Sequence, residues 1–89
     1  MIIEMKKIGT ILNSRPAGRE AFLRIVQIIN GSNLNEKIQL DFSSVDILTP
    51  SFADEMLRLL KEKYPGRVEI VHLTSPAAKE TLESIGYPI

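Results

Sequence analysis

Apolar residues recur along the chain at two different periods. In AFLRIVQIIN, Phe22, Ile25, Val26 and Ile29 return every three or four residues, which sets them on one helical stripe with Glu20, Arg24 and Gln27 opposite. Ser14 is placed to cap this helix, Pro16 fits its first turn, and Asn30-Gly31 is a suitable end because glycine accepts the left-handed conformation of a C-cap. KIQLDF alternates instead: Ile38, Leu40 and Phe42 face one way and Gln39 and Asp41 the other, which is a strand. The clearest helical pattern runs over about 51–63, with Phe52, Met56, Leu59, Leu60 and Tyr64 in one arc and Asp54, Arg58, Lys61 and Glu62 outside it. Pro65-Gly66 stops it. RVEIVHL reads as a further strand, and SPAAKETLESIG as a last helix, capped by Ser75, started by Pro76 and closed by Gly86.

Residues 2–12 are rich in Ile and Leu but broken by Lys6-Lys7 and Gly9, a pattern equally consistent with one strand or two. The order is then β–(β)–α–β–α–β–α. It predicts an α/β fold: three helices crossing over a mixed, mainly parallel sheet of about four strands. Buried parallel strands are normally apolar throughout. Gln39 and Glu69 interrupt them here, so one sheet face is expected to be less well covered, or to meet a partner.

Composition narrows the function classes. Eighty-nine residues suit a single domain, 1–89, with no repeat or linker. Eleven basic residues balance eleven acidic ones, so no net field favours nucleic acid or an anionic membrane. The absence of cysteine excludes disulfides, thiolate metal sites and cysteine nucleophiles. No run resembles a secretory signal or a membrane span, which suggests a soluble, cytoplasmic protein. Paired carboxylates of the glycosidase type, a phosphate-cradling glycine loop and a GxSxG elbow are all missing, and no cofactor is implied. His72 has no metal-ligand or triad companion at a useful spacing and reads as structural. The sequence speaks against an enzyme.

In βαβ units each helix begins beyond the carboxyl end of the preceding strand. The helix starts near 14–16, 49–51 and 75–76 should therefore share one edge of the sheet, where open α/β sheets bind ligands. Helix N-termini make such an edge electropositive. Arg15, Arg19, Thr49, Ser51, Asp54 and Glu55 are the candidate partner- or anion-binding residues there. Each has a plainer reading. Thr49 and Ser75 are ordinary caps, Asp54 and Glu55 suit a positive helix start, and Arg15 can simply pair with a neighbouring carboxylate. Ser51 either caps the helix, with Asp54 three residues on, or lies in the first turn behind Thr49 and Pro50.

The run LDFSSVDILTPSFADEMLRLL resembles the central segment of STAS domains, the fold of bacterial anti-sigma factor antagonists, in which a strand ending in aspartate leads through a bend to a serine at a helix start. Taken together, SRPAGRE, DFSSV and SFADE are similar to a STAS-like family of bacterial and phage domains, over about residues 8–86. Members can be linked with histidine-kinase-like ATPase domains. By position Ser51 matches the serine that antagonists have phosphorylated by a partner kinase. In them an acidic residue precedes the serine pair and glycine follows, whereas here Thr49 and Pro50 precede Ser51 and Phe52 follows. The resemblance implies a non-enzymatic signalling module. Its protein partner, a histidine-kinase-like ATPase being the class implied, would bind around Ser51 and the second long helix. The competing expectation is a small-anion or nucleotide sensor at the same edge, with Arg15 as counter-ion.

Overall fold

Each of the three helices begins at a hydroxyl followed within two residues by proline. The computed structural model describes residues 1–9, 11–30 and 36–87. In chain order it contains β1 (Ile2–Glu4), a single 3-10 turn (Met5–Lys7), β2 (Ile11–Leu12), α1 (Arg15–Ile29), β3 (Ile38–Asp41), β4 (Ile47–Leu48), α2 (Pro50–Lys63), β5 (Val68–Val71) and α3 (Pro76–Ser84). The hydroxyl oxygens of Ser14, Thr49 and Ser75 accept from the N–H groups of Ala17, Phe52 and Ala78, three residues on in every case. These bonds satisfy donors that the first helical turn leaves without an intrahelical partner.

The strands form two parallel ladders, β1-β3-β5 and β2-β4. Helical crossovers connect strands that run the same way, as the order of elements predicts. Residues 2–12 therefore hold two strands, and the 3-10 turn hands the chain from one ladder to the other. β4 lies in a segment that reads as a polar bend in the sequence. Two residues are too few to display alternation, but Leu48 is buried, in the same core cluster as Val45 and Phe42.

Register divides the three-stranded sheet into two unlike faces. Ile3, Leu40 and Ile70 are aligned, as are Ile38 and Val68, and this face packs into the core with Ile25 and Ile29 of α1, Met56 and Leu60 of α2, and Leu82 of α3. The other face aligns Ile2, Gln39 and Glu69, then Glu4, Asp41 and Val71, none of them buried. Gln39 Nε2 donates to Glu69 at 3.3 Å, and Lys37 Nζ donates to the same carboxylate at 2.9 Å. The polar interruptions in β3 and β5 thus mark the less covered side, as expected of a parallel sheet that is not apolar throughout.

Several boundaries differ from the sequence pattern. β5 ends at Val71, and His72 leaves the strand with φ +55°. On α2, Leu59 is only half-buried, while Ala53, Glu55 and Leu57 are buried, which widens the inward face beyond the apolar arc. α1 closes at Asn30, whose N–H donates to Val26 O at 3.0 Å, and the glycine cap expected at position 31 lies outside the described residues. Gly86 does end α3 with φ +81°, a conformation that favours glycine. Among the described residues, no helix is long and apolar enough to cross a membrane.

Candidate functional site

Because β2 and β4 run parallel, the helices that follow them start at the same edge. Thr49 joins those starts. Its N–H donates to Leu12 O at 2.9 Å, at the end of β2, while its Oγ1 accepts from Ser14 N–H at 3.2 Å and from Phe52 N–H at 3.4 Å. One hydroxyl therefore caps α2 and also holds the residue that caps α1. Ser14 has φ +80° and ψ 153°, a region that non-glycine residues enter only at a conformational cost. The bond to Thr49, the Ser14 Oγ bond to Ala17 and the Ser14 carbonyl bond from Gly18 hold it there.

One turn further in, α1 and α2 approach closely at Gly18. A Cβ built there would lie 2.6 Å from Phe52 O and 3.2 Å from Glu55 Cβ. Only a residue without a side chain permits that approach, and it brings Arg15 over α2. Arg15 Nη1 donates to Asp54 Oδ2 at 2.8 Å and to Glu55 Oε1 at 3.1 Å. Arg58 Nη2 donates to the same Glu55 oxygen at 2.8 Å and reaches Glu62 at 3.5 Å through Nη1. Glu55 is 7% exposed, the one buried charged residue among those described. Arg58, and secondarily Arg15, hold its carboxyl below the usual range against the opposing effect of desolvation. Hydrogen bonds to Asp54 and Glu55 raise Arg15 in turn, and the bond to Glu55 raises Arg58.

The candidate residues therefore part into two roles. Thr49, Glu55 and the guanidinium of Arg15 bind other parts of the protein: Thr49 is a cap and Arg15 pairs with neighbouring carboxylates, as their plainer readings have it, whereas Glu55 lies beyond the first turn of α2 and is held by Arg58 and Arg15 rather than by the helix start. Ser51 lies in the first turn behind Thr49 and Pro50, not at the cap; it is exposed, and its side chain makes no hydrogen bond among the described residues. Arg19 is exposed and has no ion-pair partner among them. Asp54, with a side chain 45% exposed, belongs to both groups. The third helix start is not bonded to the other two. α3 meets this edge through its second turn instead, where Thr81 Oγ1 donates to Leu48 O at 2.8 Å.

A second cluster escapes the sequence pattern. Asp41 ends β3, its Oδ1 accepts from Ser43 N–H at 2.9 Å, and its Oδ2 lies 3.1 Å from His72 Nδ1 at the end of β5. Bonds from Ser43, and then from His72, bring the Asp41 carboxyl down to about 2. The companion that His72 lacks along the sequence is thus supplied by the neighbouring strand, and the pair ties two strand ends together. The aspartate followed by Ser43-Ser44 at a strand end was the available signal for the Asp41 half.

A family model described as a STAS-like domain of unknown function (DUF4325) matches residues 20–78. The match takes in β3, β4, α2 and β5, including Thr49, Ser51, Asp54 and Glu55. No curated protein and no solved structure gives a significant match.

Proposed function

The chain belongs to the STAS-like family of unknown function, and from that premise we propose that it is a non-enzymatic regulatory module that binds a protein partner at the joined starts of α1 and α2. The single observation that supports this reading is the Thr49 junction. It fixes two helix starts against each other and leaves Ser51, Arg19 and one side of Asp54 facing outward. A rigid edge carrying both signs of charge suits recognition of another protein, because charge pattern governs partner choice and orientation. The partner class we favour is the histidine-kinase-like ATPase that the family resemblance implies. Ser51 is then the residue at which such a partner would act. A phosphate there would lie in the first turn of α2, where the helix dipole favours it, and would change the charge that the partner meets.

The small-anion or nucleotide reading is weaker on this geometry. Arg15, its intended counter-ion, already carries Asp54 and Glu55 on one nitrogen, and both carboxylates would repel an anion.

The test is capture of proteins from the native host on the immobilised wild-type chain, Ser51→Arg and Asp54→Lys, with circular dichroism to establish that each is folded. The proposal expects one or more partners, identified by mass spectrometry, to be lost from both variants. Identical capture by all three proteins would overturn it. A thermal-shift screen decides the competing reading: stabilisation by phosphate or a nucleotide that disappears in Arg15→Ala would replace a protein partner with a ligand.

A further inference from the structure

Outside the Thr49 junction, the Asp41–His72 pair stands at the carboxyl ends of β3 and β5, where open α/β sheets place ligands. Asp41 and Val71 are in register and belong to the less covered sheet face. Alternation would send the next side chain to the core face. His72 departs from the extended path with φ +55°, and its ring reaches the Asp41 carboxylate instead. Ser44, beside the Ser43 that bonds Asp41, has φ +66°. Two of the three non-glycine residues with left-handed φ among those described thus flank one carboxylate, and conformations of this kind gather at functional sites.

The pair fixes which imidazole nitrogen is available. Asp41 Oδ1 accepts from Ser43 N–H, and Oδ2 lies 3.1 Å from His72 Nδ1. A carboxyl brought down to about 2 is ionised at neutral pH and can only accept, so Nδ1 carries the hydrogen and the lone pair stands on Nε2. That nitrogen has no bond among the described residues, on a side chain 63% exposed against 12% for Asp41. An anchored carboxylate, a tied imidazole and an open nitrogen are the parts of an activated nucleophile.

Three uses of such a nitrogen compete. A metal needs further ligands, and the described residues hold no group of three His, Asp or Glu side chains placed to bind one. Proton transfer needs a substrate held beside the ring. His72 lines neither the groove along β1, bordered by Ile2 and Ile28, nor that between α2 and the end of α3, bordered by Leu57 and Tyr87. Covalent transfer needs only a donor that reaches an exposed nitrogen. We propose that His72 Nε2 accepts a phosphoryl group from a small donor with a good leaving group, such as a phosphoramidate. The Nε2 lone pair forms the N–P bond, while the bond from phosphorus to the donor nitrogen breaks and its electron pair departs with ammonia. The ring keeps its Nδ1 hydrogen and becomes positive beside the ionised Asp41, and the phosphoryl oxygens stay in solvent. Asp41 has a donor on each oxygen, and Glu4, in register with it, is bonded to Lys7 at 3.1 Å, so neither presents an uncovered carboxylate to an incoming anion. The reaction needs no protein partner and is independent of Ser51.

The test is incubation of the full chain, which contains a single histidine, with potassium phosphoramidate at neutral pH, followed by phosphorus NMR and intact mass. The wild type is expected to gain one phosphoryl group, at Nε2, and to do so faster than N-acetylhistidine. Asp41→Asn, with its fold established by circular dichroism, should react more slowly by about tenfold or more, as when a carboxylate that orients a histidine is lost. His72→Gln should gain none. Product at Nδ1 of the wild type overturns the proposal, because it requires Asp41 to release the ring, and this holds whether or not Asp41→Asn folds. So does a wild-type rate no greater than that of N-acetylhistidine, or a rate unmoved by Asp41→Asn.

Discussion

Glu55 Oε1 lies 3.1 Å from Arg15 Nη1, so a buried oxygen of α2 is bonded to the first residue of α1. The same oxygen accepts from Arg58 at 2.8 Å. Removing Glu55 would leave two guanidinium groups facing each other, whereas removing Arg15 leaves Glu55 its bond to Arg58. Glu55→Ala should therefore lower the melting temperature by several degrees and by more than Arg15→Ala does. The double variant should fall short of the sum of the two, as expected of residues in one network. Thermal unfolding of the four proteins checks the order.

Gly18→Ala separates local helix preference from packing. Alanine is favoured over glycine in a helix interior by about 1 kcal/mol. Here its Cβ would meet Phe52 O at 2.6 Å, a main-chain atom that can move only with α2. Overpacking of this kind costs about 1–3 kcal/mol, so the variant should be destabilised despite its better intrinsic preference. Urea denaturation checks the sign.

Thr49→Val keeps the shape of the side chain and removes its oxygen. Both Ser14 N–H and Phe52 N–H lose their acceptor. Loss of a cap costs about 0.5–2 kcal/mol, and the expected loss is at the upper end because two helix starts share the hydroxyl. Thr49→Ser should retain most of the stability. Faster amide exchange at both Ser14 and Phe52 in the valine variant would distinguish this from a local effect on α2 alone.

Acid stability should depend on Asp41. Its carboxyl falls from 3.8 to about 2 on folding. A group whose pKa is depressed stabilises the fold fully above its unfolded value and loses that contribution as pH falls through the folded one. The stabilisation is therefore complete above about 3.8 and fades as the pH drops toward 2. Glu55 and Glu69, also held below their usual range, act in the same direction. Denaturation curves across this range should show a shallower pH dependence for Asp41→Asn than for the wild type.

The elements that sequence reveals best here are those with enough residues to repeat. α1 and α2 are long enough to display their stripes, and the caps Ser14, Thr49 and Ser75 stand where hydroxyl, proline and helical pattern coincide. Gln39 and Glu69 announced the less covered sheet face because two polar residues in buried parallel strands need a common explanation. β2 and β4 were obscure for the opposite reason: a two-residue strand has no period. The rim was legible as a location, since parallel strands gather helix starts at one edge. The division of labour within it was not, because the partners of Arg15 and Glu55 depend on how closely the two helices approach at Gly18. His72 and Asp41 meet only through strand pairing, which no local pattern records.

The most direct measurement of the central claim is site-specific photocrosslinking in the native host, with the photoreactive residue placed at Ser51 in one protein and at Glu83, exposed on α3, in another. A discrete protein adduct is expected from position 51, absent from position 83 and reduced by Asp54→Lys. No adduct at position 51, or the same adduct from both positions, would contradict it.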